Sequence, residues 1–396
     1  MSTTVNSALE VKSALLNTYN RFPVQFSHGS KSYLYDTDGN KYLDFLCGIA
    51  VTGFGHNHPQ IKKEVENQIE SFWHVSNLFE SSEQEVLAEK LIKASGLDEV
   101  FFCNSGTEAN EAAIKFARKV QGERSTVISA IGAFHGRTYG SLTASAQSKL
   151  WEGFKPLLPG FKYVEFNNIE SLENSITPDV GTVILEPIQG EGGIIVPSNG
   201  YLKEVEEICE NHDLLLIFDE IQTGMGRTGK HFASQWFDVS PDIITVAKGI
   251  ANGLPLGAVL CSDTVGKKIK PGDHGSTFGG NPVSIAAANA VMNLLDETTL
   301  SQIHSKGKIL QQKLKGINSP FIKEIRGMGL MIGIEFTEDI KAADIVKSLL
   351  SKKIITCPAG KNTLRLLPPF IITEKEIDLF EKTFRGIIED LHLKSE

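Results

Sequence analysis

The chain has 396 residues, of which 41% are hydrophobic and 22% charged, and a formal net charge of -9. Its length exceeds one compact core of ordinary size and predicts two lobes, while its composition is that of a globular protein. Lysines and arginines spread along a net-negative chain disfavour a nucleic-acid footprint, no run of about 18 apolar residues is present to cross a bilayer, and five cysteines without Cys-x-x-Cys pairing or nearby His in metal spacing argue against a disulfide framework or zinc site.

The first stretch, MSTTVNSALEVKSALLNTYNRF, carries Glu10 and no apolar signal core, so a cytoplasmic protein with an amphipathic helix over about residues 7–19 is expected. KSYLYDTDGNKYLDF predicts a hairpin around Asp38-Gly39. From residue 58 to 296, the runs TVISAI, TVILEP, LLLIFDE, DIITVAK and GAVLCS read as buried strands. They are separated by stretches of helical period such as TEANEAAIKFARKVQ and YLKEVEEICENHD. That alternation predicts an α/β domain with a mostly parallel sheet covered by helices. Residues 297–396 change to helix, strand GLMIGIEF, helix, strand NTLRLLPPF and helix. They predict a smaller α+β domain, to which residues 1–57 contribute.

Within FDEIQTGMGRTGK, Gly224, Gly226 and Gly229 spell a dinucleotide fingerprint, and Gly224, Gly229 and Lys230 nearly spell a P-loop. Neither holds, because polar residues separate the strand from the first glycine and His231 stands where a P-loop needs Ser or Thr. A glycine-rich surface loop over 224–229 is the expectation. Asp219, before the glycines, ends a buried strand at the edge where open α/β sheets bind ligands, although alone it would read as a helix cap or ion pair. Lys248 ends a second buried strand, where desolvation would make its amine nucleophilic; a structural lysine reaching solvent fits the same place. A lysine for an aldehyde and a carboxylate for a pyridinium nitrogen are the pair that pyridoxal phosphate needs. A phosphate site would complete the set. The strand VFFC runs into Ser105-Gly106-Thr107 and then a helix, whose free N–H groups suit an anion as well as they suit an ordinary N-cap with Glu108 in the first turn.

Six segments then coincide: NSGTEANEAAIKFAR, AFHGRTYGSLTAS, ILEPIQGEGG, FDEIQTGMGRTGK, AKGIANGLPLGA and STFGGNP. In this order, over about residues 20–390, they resemble the class III (subgroup II) pyridoxal-phosphate aminotransferases of fold type I, and most of all the branch that uses acetylornithine. The resemblance implies an α/β fold, pyridoxal 5'-phosphate as cofactor and a homodimer with active sites at its interface. The implied reaction moves the δ-amino group of N2-acetylornithine to 2-oxoglutarate, giving N-acetylglutamate 5-semialdehyde and glutamate in arginine biosynthesis. By the same resemblance Lys248 bonds covalently to the cofactor, Asp219 pairs with the pyridinium nitrogen and Gln222 reaches the ring hydroxyl. Ser105, Gly106 and Thr107 are implied to hold the phosphate, with Thr277 contributed across the dimer, and Phe134 to stack on the ring. Arg137 and Ser276 are implied to meet substrate, and Glu186 to cover Arg365 when the substrate brings no carboxylate beside the reacting carbon. Ala251-Asn252 departs from the glycine-rich stretch usual at that place and is expected to alter the loop near the cofactor without removing catalysis. Succinylornithine, ornithine, 4-aminobutyrate and lysine-biosynthesis aminotransferases remain open alternatives. A non-catalytic binding protein on this fold would have no use for the Lys248 and Asp219 that the chain keeps.

Overall fold

A computed structural model describes residues 14–395. Its centre is a seven-stranded sheet in the order Glu99–Cys103, Gly257–Cys261, Ile243–Val246, Leu215–Asp219, Val180–Leu185, Thr126–Ala130 and Phe161–Val164. The last five run parallel, whereas Gly257–Cys261 is antiparallel to both its neighbours. Alternate residues of the central strands enter opposite cores, which is why these runs are apolar throughout. Ile184 and Ile217 meet Ala109, Ala112, Ala113, Phe116 and Ala117 of the helix Gly106–Gln121. Val183, Leu185, Leu216 and Phe218 meet Tyr201, Leu202, Val205 and Ile208 of the helix Tyr201–Asn211. Each large side chain so buried stabilises the fold by about 1.5–3 kcal/mol.

The hairpin around Gly39 forms between Tyr33–Asp36 and Lys41–Asp44, with the Asp36 carboxylate accepting the N–H groups of Asp38 and Asn40 at 3.0 and 2.8 Å. Lys41–Asp44 then pairs in parallel with Ile354–Ile355, so that strands from both ends of the chain share one sheet. Met331–Phe336 and Thr363–Leu366 lie in a four-stranded antiparallel sheet with Ile322–Met328 and Cys357–Ala359. The helix expected over residues 7–19 falls mostly outside the described residues, and residues 14–19 are not helical.

The glycine loop over 224–229 is not on the surface: it is buried, and the expectation is corrected. Its glycines are needed for close packing, since a Cβ on Gly226 would lie 2.6 Å from Leu295 and one on Gly229 would lie 2.8 Å from His304. Arg227 is enclosed within it and donates to the carbonyls of Leu330 and Pro368 at 3.0 and 2.6 Å, tying the large sheet's loop to the C-terminal residues. Among the described residues no helix is long and apolar enough to cross a membrane, and no group of three acidic, His or Cys side chains has a metal-binding arrangement.

Candidate active site

The parallel strands all end on one edge, and the chain segments leaving them wall a cavity of about 420 Å³. Lys248 follows Ile243–Val246, Asp219 ends Leu215–Asp219, Glu186 follows Val180–Leu185, and Phe134, His135 and Arg137 follow Thr126–Ala130. Ser105, Gly106 and Thr107 close it at the start of the helix Gly106–Gln121, and Gln222 also lines it. Nine of the twelve residues singled out in the sequence therefore line one space: Ser105, Gly106, Thr107, Phe134, Arg137, Glu186, Asp219, Gln222 and Lys248.

Asp219 is almost wholly enclosed, and three donors orient its carboxylate. Oδ2 accepts from His135 Nδ1 and Asn110 Nδ2, both at 2.7 Å, and Oδ1 accepts from Ile221 N at 3.0 Å. Acceptance by the carboxylate places the imidazole proton on Nδ1. Asn110 is held in turn by the His135 carbonyl at 2.7 Å and the Thr245 hydroxyl at 2.8 Å. His135 Nε2, on the far side of the ring, is buried without a protein partner. Asn110 and His135 lie within the segments NSGTEANEAAIKFAR and AFHGRTYGSLTAS; the strand-end position of Asp219 calls for such donors, but residue order does not say which.

Lys248 sits at the start of a 3-10 turn, Lys248–Ala251, with φ 43°, a conformation a non-glycine residue keeps only when its surroundings impose it. Burial lowers the pKa of its ammonium, opposed by the charges of Glu191, Asp219 and Glu186. Glu186 accepts from Phe134 N and Gly190 N, each at 3.0 Å; burial raises it to about 7, with His135 and the two N–H groups acting against the rise.

The expected pair between Glu186 and Arg365 does not form. Arg365, 1% exposed, is paired with Glu191 through both Nη atoms, with Nη2 to Oε2 at 3.2 Å, and its Nη1 also donates to Gln222 Oε1 at 3.1 Å. Burial opposes ionisation of Glu191, but the charge and hydrogen bonds of Arg365, the Lys248 charge and the Gln222 hydrogen bond together outweigh it and hold the carboxyl below its ordinary value. Gln222 thus faces Arg365 and, at 3.5 Å, Glu191. The reason for the exchange is local: beyond Glu186 the chain folds back, pairing Gln189 with Ile195, and Glu191 at the tip reaches the arginine.

The helix Gly106–Gln121 is capped by Ser105, whose Oγ accepts from Glu108 N at 3.3 Å, leaving the first-turn N–H groups of Gly106 and Thr107 without intrahelical acceptors. A Cβ at Gly106 would come within 2.8 Å of Ile221, another wall residue, so only glycine allows this approach. Thr107 Oγ1 meets Thr138 Oγ1 at 2.8 Å, and the exposed guanidinium of Arg137 lies 5.6 Å from the Phe134 ring centre. Arg365, Ser276 and Thr277 do not line the cavity. Ser276 lies one hydrogen bond from its rim, accepting from Asn104 Nδ2 at 3.1 Å, and Thr277 is exposed. A buried lysine, an oriented carboxylate and a helix start with free N–H groups thus share one pocket, and these groups fit a phosphorylated pyridine aldehyde.

The family described as Aminotransferase class-III matches residues 16–388. An acetylornithine aminotransferase of Methanocaldococcus jannaschii is 46% identical over 371 residues, covering 92% of this chain and 93% of the relative. Among solved structures, the N-acetylornithine aminotransferase of Stenotrophomonas maltophilia superposes with a TM-score of 0.83 at 35% identity, over 95% of this chain and 98% of the other. The ornithine aminotransferase of Toxoplasma gondii, described with partial occupancy of PLP at its active site, superposes with a TM-score of 0.89 at 34% identity, over 94% and 92% of the two chains. With the family pattern spanning nearly the whole chain and the relative aligned over more than nine-tenths of both chains, this protein belongs to the class III aminotransferases.

Proposed function

We propose that the protein uses pyridoxal 5'-phosphate to move the δ-amino group of N2-acetylornithine to 2-oxoglutarate, producing N-acetylglutamate 5-semialdehyde and glutamate for arginine biosynthesis. The observation that carries this reading is the convergence of Lys248, Asp219 and the Gly106-Thr107 helix start on one cavity, and the names of the similar proteins support the substrate. The proposed working unit is a cytoplasmic homodimer, its larger domain residues 58–296 and its smaller one residues 297–396 with 1–57. Five unpaired cysteines, four of them buried, suit a reducing compartment.

When bound, the cofactor supplies an aldehyde that condenses with amines and a ring that withdraws electrons from the carbon losing its proton. Gly106 and Thr107 would bind the phosphate through N–H groups and the Thr107 hydroxyl, with Thr277 reaching in across the dimer. Phe134 would cover one face of the ring, and Gln222 would reach its hydroxyl. Asp219, aimed by His135 and Asn110, would hold a proton on the ring nitrogen. Lys248 would hold the aldehyde carbon between turnovers and, released, carry the proton between the reacting carbon and the cofactor; burial keeps more of its amine uncharged.

Arg137 would take the single carboxylate of N-acetylornithine, with Ser276 beside the substrate. Glutamate and 2-oxoglutarate carry a further carboxylate next to the reacting carbon, and Arg365 is the cation offered to it. Glu191 covers Arg365 in the structure, so an enclosed charge is not left unpaired when the acylated substrate is bound. Arg365→Ala is expected to slow the glutamate half-reaction at least tenfold more than the N-acetylornithine half-reaction, measured separately by stopped-flow absorbance. Equal losses would remove the carboxylate role from Arg365, and preference for ornithine or N-succinylornithine in a donor panel would remove the substrate assignment.

A further inference from the structure

We propose that Cys357 is a positioning residue for recognition of the substrate carboxylate: its Sγ accepts the Nε–H of Arg365 and commits the Nη1–Nη2 edge of the guanidinium to the incoming acid. The inference deepens the role given to Arg365 above and rests on it. A guanidinium can dock a carboxylate in two bidentate ways, along its Nη1–Nη2 edge or along the side that includes Nε. The structure has already spent Nε. Its partner is Cys357 Sγ at 3.3 Å, while Glu191 occupies Nη1 and Nη2.

The strands enforce this contact. Cys357–Ala359 and Thr363–Leu366 pair antiparallel with Cys357 directly opposite Arg365, so both side chains leave the sheet on one face at cross-strand distance. With Arg365 almost fully enclosed, bulk solvent is not at hand to take over an abandoned Nε–H. Burial pushes the Cys357 thiol up despite the adjacent arginine, so the sulfur stays uncharged and does not itself neutralise the guanidinium. A carboxylate replacing Glu191 then finds the same two Nη atoms in the same plane, and Arg365 need not turn about its last bonds to receive it.

Three variants test this in the cofactor-loaded protein. Cys357→Val fills the space of the thiol without an acceptor, Cys357→Ser keeps an acceptor, and Arg365→Ala sets the limit of complete loss. Cys357→Val is expected to raise KM for 2-oxoglutarate about five- to tenfold, the effect of losing one hydrogen bond of ordinary strength, as a sulfur acceptor makes. KM for N-acetylornithine should stay within about twofold, and Cys357→Ser should recover most of the 2-oxoglutarate loss. An unchanged KM for 2-oxoglutarate in Cys357→Val, an equal rise for both substrates, or no recovery in Cys357→Ser would overturn the assignment. Calorimetric titration with glutarate, a dicarboxylate that cannot be aminated, reads Arg365 without turnover. Glutarate binding weakened by Cys357→Val in a protein inert toward N-acetylornithine would remove the proposed function and keep this inference; glutarate binding indifferent to the substitution would remove the inference.

Discussion

At Glu186 burial outweighs the two N–H groups that the carboxylate accepts, and the proton is kept up to about pH 7 instead of leaving near the ordinary value of 4.5. Between those values the folded chain holds a proton that the unfolded chain has lost, so stability falls as pH rises through that window. The full difference corresponds to roughly 3 kcal/mol. Glu186→Gln, which has no such proton to lose, should therefore gain stability relative to the unsubstituted cofactor-free protein as pH is raised from 4.5 to 8. Urea denaturation across that range measures it, and a pH-independent difference between the two proteins would contradict the burial argument. The same residue marks where reading the sequence stopped short. Strand-end residues were legible because apolar runs stop at Glu186, Asp219 and Lys248, and a parallel sheet carries all such ends to one edge. The partner of Arg365 was not legible, because Glu191 reaches it through a loop reversal that the letters QGEGG do not encode on their own.

The turn that carries Lys248 is tied to the N-terminal segment by the residue that departs from the usual glycines. Asn252 adopts the left-handed conformation with φ 46°, its Oδ1 accepts from Phe54 N at 2.8 Å, and its Nδ2 donates to Gly55 O at 3.0 Å. Just before that segment, Cys47, Gly48, Ile49 and Ala50 have φ of 52°, 62°, 67° and 64°. A left-handed turn of this kind costs each non-glycine residue about 1–2 kcal/mol, so it needs outside support. Asp44 gives part of it, accepting from Leu46 N and Cys47 N at 2.9 and 2.8 Å, and Val51 at the end of the turn lines the cavity. Glycine at 252 would take the backbone conformation readily but lose both side-chain hydrogen bonds. Asn252→Gly is therefore expected to lower stability by about 1–2 kcal/mol in urea denaturation, whereas unchanged stability would show that the amide anchors nothing. Among the elements, buried strands and the Gly39 hairpin were legible from apolar runs and turn residues. The mostly exposed strand Phe26–Ser30 and the half-buried strand Phe161–Val164 lacked that contrast, and the antiparallel direction of Gly257–Cys261 depends on a connection that propensity does not describe.

At the scale of the whole molecule, residues 72–79 and 276–281 are laced together and turn apolar side chains outward. Asn77 Nδ2 donates to the carbonyls of Ser276 and Gly279 at 3.0 and 2.8 Å, and Asn281 Nδ2 donates to Trp73 O at 2.9 Å. Leu78 is 90% exposed and Trp73 68%, with Phe79 and Phe278 open beside them, a surface of the kind that subunit interfaces bury. Thr277 stands in this segment, next to the side chain that bonds the cavity rim, which supports a dimer in which each protomer completes the other's phosphate site. Leu78→Glu should shift the protein toward monomers in analytical ultracentrifugation and reduce its retention of pyridoxal phosphate in step; a monomeric variant that retains cofactor as before would separate the two. The proposed chemistry depends on one lysine. Borohydride reduction of the cofactor-loaded protein followed by peptide mass spectrometry should find the pyridoxyl mass on Lys248, whereas an adduct on Lys230 or no adduct at all would contradict Lys248 as the residue that holds the cofactor.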